Sequence, residues 1–476
     1  MMKSIVNYIL CLSISCIALQ SCKKYLDIAP KSSVAEEEMF ASEIGFRQAL
    51  NGVYSSIASR NLYGDNLSMG FVAALAQNYN TSGNSGLFVK TRNYDYESSE
   101  VINYTGQIWS SAYNGIAGLN NILKFCEEKR GVLSEKAYNE IKGEALGLRG
   151  FLHFELLRMF APSFFLGMES KAIPYRITID HYSQVPATVR EVTELCVKDL
   201  QESAELLKQV DPVLSGASER RYKFNYFAVR GTLARIYLYR DEKSKAYTSA
   251  KEIVDSGLFP FVNKANVSAR ADNKDRLFKS ELVFAIRNRN LLNWAYNLYF
   301  TFYGNFSDRL SRSEADFKKL YEVTNVGEAD IRWLNLFENS QGFKFPSKFW
   351  QTSSTSIDSL RLDHMVPVIR CSEMRYILAE TSPSAEEALN QLNQVRLART
   401  VPALPVTTGN LDRTFIQNEI GKEYQKEMYA EGQVFYYYKR RNLTDIPFKP
   451  TAMKTFNVKN YTLPIPKDEM EFNPNY

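Results

Sequence analysis

Residues 224–257 read FNYFAVRGTLARIYLYRDEKSKAYTSAKEIVDSG, and the spacing of their apolar residues predicts two helices joined by a short polar turn at Asp241-Glu242-Lys243. Leu233, Ala234 and Tyr237 fall on the first helix, Ala246 and Ala250 on the second. Small side chains at Ala234 and Ala246 let two antiparallel helices approach closely, while Leu233 and Tyr237 fill the space between neighbours. Outward from this pair the same periodicity continues. Phe46, Ala49, Leu50, Val53, Tyr54 and Ile57 make one apolar stripe, and Trp109, Ala112, Tyr113, Ile116, Leu119 and Leu123 a second. A third helix is predicted from about Ser134 to Phe160. A fourth begins at a capping box, Thr188 with Glu191 three residues on.

The spacing of the 224–257 pair is similar to a tetratricopeptide repeat. A last pair, Ser372 to Ala379 and then Ser384 to Arg399, looks like a degenerate version, with Ser384 and Glu387 as a further capping box. The expected fold is therefore mainly α: a tetratricopeptide-like helical-repeat superhelix with long irregular loops and a few short β-strands. The loops are expected over 60–104, rich in Asn, Gly, Ser and Tyr, and over 258–370, where short β-like runs such as Leu282 to Ile286 interrupt aromatic stretches. Long loops on a rigid scaffold are where binding function usually sits. No interdomain linker is visible, so one body is expected.

The chain opens with Lys3, an apolar run from Ile5 to Leu19, and no further charge before Lys23. That pattern reads as an export signal, too short and too polar to span a bilayer permanently. Leu19-Gln20-Ser21-Cys22 resembles a bacterial lipobox, so residues 1–21 are expected to be a lipoprotein signal peptide and Cys22 the lipidated residue. Gln20 departs from the small residue usual at its place. Two other readings stay open: lipidation at Cys16, which lacks an aliphatic residue three positions upstream, and an ordinary signal peptide with Cys22 as a nearby thiol.

Beyond Cys22 only Cys126, Cys196 and Cys371 remain, too far apart for a zinc cluster, and buried free thiols are the expectation. A net charge of +5, with Lys and Arg scattered, argues against a nucleic-acid partner. Aromatic content is 13%, with Tyr and Phe at 29 each, and Tyr at that frequency suits contact surfaces as well as cores. Motifs for metalloprotease, hydrolase, nucleotide or EF-hand chemistry are absent. The three histidines, His153, His181 and His364, lie apart from cysteine or carboxylate at ligand spacing, so each reads as structural. Glu427 and Glu431 share a helical face and are expected to be solvated or paired with Lys and Arg. No enzyme activity, cofactor or metal is expected.

One ordered set of motifs is more specific. Cys22 to Asp27, Ala49 to Tyr54, Trp109 to Leu123, Glu144 to Phe154 and Ile173-Pro174-Tyr175 lie in the first half. Val366 to Glu380, Ala388 to Arg396, Glu427 to Gly432, Tyr461 to Pro466 and Asn473-Pro474 follow in the second. In this collinear order the chain resembles the SusD/RagB family of outer-membrane nutrient-uptake lipoproteins of Bacteroidota. The resemblance divides the single body over 22–476 into an N-terminal SusD-like part (22–215), the tetratricopeptide-like pair (216–260) and a C-terminal SusD/RagB part (261–476). Two places depart from the family pattern. Glu423-Tyr424 stands for a Glu-Arg pair, and Gln433-Val434 for His-Arg or Tyr-Arg, so local salt bridges there are expected to be replaced. Lys23 and Lys24 also differ from the acidic residues that often accompany surface export, which leaves open the face of the outer membrane.

The resemblance implies a protein that captures oligosaccharide, or in some members peptide, at the cell surface. It would hand the ligand to a SusC-like TonB-dependent transporter, remaining lipid-anchored at the outer membrane and performing no chemistry. Aromatic faces and amides would carry such binding. Two stretches offer both: Asn78, Tyr79, Asn80, Asn93, Tyr94 and Tyr96, and then Trp294, Tyr296, Asn297, Tyr299, Tyr303 and Asn305. Each residue taken singly also reads as core or loop packing. Trp109 is assigned to the core, and Leu463 to Pro466 to a rigid strap closing the fold. A helical-repeat scaffold and a surface hydrolase are the competing functions. Glycan is preferred to peptide as ligand because the family favours it.

Overall fold

The computed structural model describes residues 36–80, 86–180, 182–270, 273–299, 310–340, 343–350, 364–450 and 456–476. Residues 1–35, and with them Cys22, Lys23 and Lys24, lie outside it, as do His181, Tyr303 and Asn305.

Helices of eight residues or more, and the two six-residue strands, are numbered here; shorter elements are given by residue. The first half comprises α1 (Glu43–Ile57), α2 (Ser99–Glu128), α3 (Glu135–Phe160), α4 (Val189–Leu207), α5 (Tyr226–Tyr239) and α6 (Lys243–Asp255). The second half comprises β1 (Leu282–Arg287), α7 (Leu291–Tyr299), β2 (Met365–Arg370), α8 (Cys371–Thr381), α9 (Ala385–Ala398), α10 (Arg413–Glu427) and α11 (Gln433–Arg440). Their starts follow side-chain capping. Ser134 accepts from the Ala137 N–H, Asn225 from Ala228 and Asp412 from Phe415, each satisfying a donor the helix leaves unpaired. The Thr188–Glu191 capping box forms in both directions, while Ser384 accepts from the Glu387 N–H.

Each long helix packs on the one before it: α2 on α1, α3 on α2, α4 on α3, α5 on α4 and α6 on α5. The series resumes with α8 on α6, α9 on α8 and α10 on α9. This is the mainly helical, tetratricopeptide-like stack the sequence predicts. The α5–α6 turn closes on Asp241 in a left-handed conformation (φ 59°), with the Glu242 N–H donating to Tyr237 O at 2.8 Å.

The packing of α4 on α3 has a compositional cause. Gly143, Gly147 and Gly150 recur along α3 at i, i+4 and i+7 and so share one face. A Cβ on Gly147 would lie 2.6 Å from a ring carbon of Phe224, and one on Gly143 2.8 Å from Leu207 Cγ. Their absence lets α4 and the start of α5 sit directly on the α3 backbone.

β1 and β2 pair antiparallel, from Leu282 opposite Arg370 to Arg287 opposite Met365, with two register irregularities near Phe284. Only Arg287 leaves the core. Separately, Arg312–Ser313 and Phe337–Ser340 flank Phe343–Pro346 in a small antiparallel sheet. The Leu463 segment straps the N-terminal half as predicted, its N–H donating to Met159 O at 3.0 Å.

Residues 60–104 depart from expectation. Leu62 to Tyr79 is buried throughout, as tight turns and the short helix Phe71–Leu75. It is an internal strut, not an exposed loop. Gly432 (φ 77°) shows how tightly it is held, because a Cβ there would lie 2.2 Å from Leu67 O.

Glu427 and Glu431 are not solvated; they are buried and paired. Glu427 receives Arg332 at 2.9 Å and Arg399 at 2.7 Å, and also Arg370. Glu431 receives Lys348 at 2.6 Å and Arg370 at 2.9 Å. Burial opposes ionisation of Glu427, but Arg399 and Arg370 outweigh it and hold the carboxyl well below the usual range. Where the family pattern has an arginine, Tyr424 stacks on Tyr437 (4.7 Å) and donates to Glu373 at 3.3 Å. Glu373 is also bridged by Arg235 from α5 at 2.6 Å.

Candidate functional site

Arg287 ends β1 and Leu291 begins α7, so Asn288-Arg289-Asn290 must turn the chain between two buried elements. They do so at the edge of an open cleft of about 610 Å³. Asn288 is buried and fixes this turn. Its N–H donates to His364 O at 2.7 Å and its side-chain amide to Ala58 O at 3.1 Å, while its Oδ1 accepts from the Asn290 N–H at 2.9 Å. Asn51, Tyr54 and Ser55 of α1 line the same cleft, together with Tyr222 and Lys223 from the segment ahead of α5.

Trp294 completes the lining. α7 buries Leu291, Ala295, Leu298 and Tyr299 and leaves the Trp294 ring half-buried at the cleft. The ring rests on the backbone at Gly64, where a Cβ would come within 2.4 Å of it. The Arg60 guanidinium lies 5.9 Å from its centroid and is itself paired with Asp65 at 2.7 Å. Trp294 is thus braced by Gly64 and Arg60 where it lines the cleft. The Tyr54 hydroxyl is already committed, donating to Glu144 at 2.6 Å and accepting from the Phe224 N–H at 2.6 Å, so this residue offers its ring alone.

The other expected site residues scatter. Tyr296 is half-buried against Trp350, their rings 5.6 Å apart, and Asn297 is exposed on the same helix. Tyr79 and Tyr299 are fully buried and share a 2.7 Å hydroxyl contact, Tyr79 also donating to Met69 O at 2.5 Å. Tyr94 is buried and donates to Leu75 O at 2.7 Å. Asn78 is buried and accepts from the Ala430 N–H at 3.1 Å. Of the first group's six candidates Asn80 and Asn93 are exposed, and Tyr96 is half-buried with its hydroxyl donating to Asn460 O. Asn78, Tyr79, Tyr94 and Tyr299 are therefore corrected to internal struts, because their polar atoms are spent on the protein's own backbone and side chains. The expectation missed Asn51, Tyr222, Lys223, Arg287 and Arg289. One local signal was available, the polar run Arg287-Asn288-Arg289-Asn290 between an apolar strand and an aromatic helix.

Other cavities offer less. One of about 40 Å³ between Arg235, Glu373 and Tyr424 has room for about one water. Another, about 310 Å³, lies by Tyr182 and Phe472 and mixes Arg176 with Asp180 and Glu469. Among the described residues no group of three or more His, Cys, Asp or Glu could hold a metal. His153 is buried, its Nδ1 donating to Arg149 O at 2.9 Å and its Nε2 accepting from the Arg176 N–H at 3.0 Å. Cys126, Cys196 and Cys371 are buried free thiols. No described helix is long and apolar enough to cross a membrane.

This helical stack has counterparts among known proteins. Residues 24–238 match the family described as starch-binding associating with outer membrane, and residues 293–476 match the SusD family. A SusD superfamily protein from Bacteroides thetaiotaomicron VPI-5482 is similar in structure, with a TM-score of 0.73 and 24% identity; the match covers 91% of this chain and 98% of that one. A SusD-like carbohydrate binding protein from Bacteroides vulgatus ATCC 8482 matches with a TM-score of 0.71 and 18% identity, over 91% and 97% of the two chains. A SusD superfamily protein from Bacteroides fragilis gives 0.71 and 20%, over 91% and 98%. At these identities the structural likeness speaks to the fold. Among curated proteins none matches. The chain belongs to the SusD/RagB family.

Proposed function

We propose that the protein is a glycan-binding lipoprotein of the outer membrane, anchored by lipid on Cys22, that captures oligosaccharide at the cell surface and delivers it unaltered to a SusC-like TonB-dependent transporter. Family membership supports this reading, as does the outer-membrane association in the description of the family matched by residues 24–238. The observation that carries it is the cleft. Half-buried Trp294 and the exposed amides of Asn51 and Asn290 line a space of about 610 Å³. A pyranose presents an apolar face to an indole and hydroxyls to amides, so this set holds a sugar without any reacting group. Anchoring by lipid would keep the protein at high effective concentration beside a membrane transporter through repeated cycles of capture and release.

Affinity electrophoresis in gels containing glycans tests the proposal. The protein should be retarded by at least one glycan and release no product from it. Trp294→Ala should lose about 1–3 kcal/mol of binding while unfolding at nearly the same denaturant concentration. Retention of peptides with no glycan binding would overturn the ligand class, and product release would overturn the non-catalytic role.

A further inference from the structure

The cleft carries charge of one sign. Lys223, Arg287 and Arg289 line it, and no carboxylate does. Elsewhere the chain balances its cations closely, with 58 Lys and Arg against 53 Asp and Glu. Buried Arg332 meets Asp330, Glu423 and Glu427, and Arg399 meets Glu281 and Glu427. Even Arg60, next to Trp294, is neutralised by Asp65. Lys223, Arg287 and Arg289 form no ion pair with any described residue.

Their mounting is specific. Arg287 and Arg289 flank buried Asn288 where the chain leaves β1 and turns, and both line the cleft. The Arg287 guanidinium lies 5.6 Å from the Tyr222 ring. Lys223 donates to Asn51 Oδ1 and sits 4.3 Å from the Tyr54 ring. The nearest carboxylate beyond it, Glu144, is taken by Arg220 at 2.7 Å and by the Tyr54 hydroxyl. Burial lowers the Lys223 pKa against the pull of Glu144, as expected of a cation that lacks a direct counter-ion.

We infer that the cleft selects an acidic oligosaccharide, one bearing carboxylate or sulfate groups, through Lys223, Arg287 and Arg289; this rests on the reading of the cleft as the glycan site. A guanidinium presents two parallel N–H donors that match either oxyanion, and three cations in one cleft focus their field there. Trp294 supplies the stacking face and the arginines the discrimination against neutral sugars.

Calorimetric titration of the purified protein compares three probes: oligogalacturonate for carboxylate, carrageenan oligosaccharides for sulfate, and malto-oligosaccharides as the neutral reference. At least one acidic probe should bind about tenfold or more tightly than the neutral one, and weaken as salt is added. The double substitution Arg287→Gln/Arg289→Gln should abolish that preference. Lys136→Gln/Lys264→Gln, which removes two exposed charges outside the cleft lining, should leave it intact. Equal or tighter binding of the neutral probe would overturn the charge selection and leave glycan binding standing. Equal losses in both double variants would overturn the role of the cleft arginines. Polyglutamate is titrated as an anionic probe that is not a sugar, and binding of it with none of the three glycan probes would overturn both this inference and the glycan reading beneath it.

Discussion

His153 is stacked on Tyr175, ring centroids 3.9 Å apart, and burial holds its pKa down to about 3 even though its bond to Arg149 O favours the charged form. In the unfolded chain it titrates near the ordinary imidazole value of about 6.5. The folded value is the lower one, so the unfolded state binds the proton first. The stability His153 contributes is complete above pH 6.5 and is lost as pH falls toward 3, at about 1.4 kcal/mol per pH unit. His153→Phe should therefore be less stable at neutral pH, yet lose about 2 kcal/mol less than the parent chain between pH 7.5 and 5. Urea unfolding at the two pH values checks this; identical losses would place the acid sensitivity elsewhere. From sequence, His153 reads as structural because it stands apart from any ligand partner. That it rests neutral against Arg149 and Arg176 follows only from the fold. Trp294 marks the same boundary, since its residue type suggested binding while its support on Gly64 belongs to the tertiary structure.

Among the elements, α3 and α4 show what periodicity conveys. The start of α3 at Ser134, the capping box at Thr188 and the turn at Asp241 were all legible, because each rests on contacts within four or five residues. The glycine face of α3 adds a tertiary requirement. Gly147→Ala should improve local helix propensity yet destabilise the protein by about 1–3 kcal/mol, because the methyl drives into the Phe224 ring. The sign of the change in the denaturation midpoint decides the matter, and a stabilised variant would mean that Phe224 yields freely. Residues 60–79 and α7 were not legible as elements. The first is buried on every side, which erases the alternation that marks a half-exposed helix. In α7 the spacing of Leu291, Ala295 and Leu298 was present, but nine residues among Trp, Tyr and Asn gave too short a window.

Across the whole molecule, the Arg235–Glu373 ion pair and several long-range hydrogen bonds join the halves, and one ionic network knits the second half together. Glu427 and Glu431 collect Arg332, Arg370, Arg399 and Lys348 from separate segments, and Tyr79 meets Tyr299 across the chain. We therefore propose that the described body unfolds as one unit, with a single calorimetric transition. Glu427→Gln should lower its stability by about 3–5 kcal/mol, because three guanidinium groups are left short of counter-charge at a site with no access to water. Two separated transitions, or a Glu427→Gln change below about 1 kcal/mol, would contradict this integration. The second-half motifs were visible as a string of residues, and pairing of Glu427 and Glu431 with Arg or Lys was among the expectations; which cations pair with them was not.

The sequence by itself determined the helical stack, its capped starts, the buried thiols and the family, because these depend on local spacing and on the order of motifs along one chain. The tertiary structure alone decided which aromatic residues face solvent and which charges remain uncompensated. Tyr79 and Trp294 are similar as residue types, but one spends its hydroxyl inside the core and the other turns a ring toward a cleft. Arg399 and Arg289 carry the same charge, and only the arrival of Glu281 and Glu427 from distant segments neutralises the first while the second lines the cleft without a counter-charge. Burial and ion pairing are properties of what folding brings together, and no local pattern encodes them.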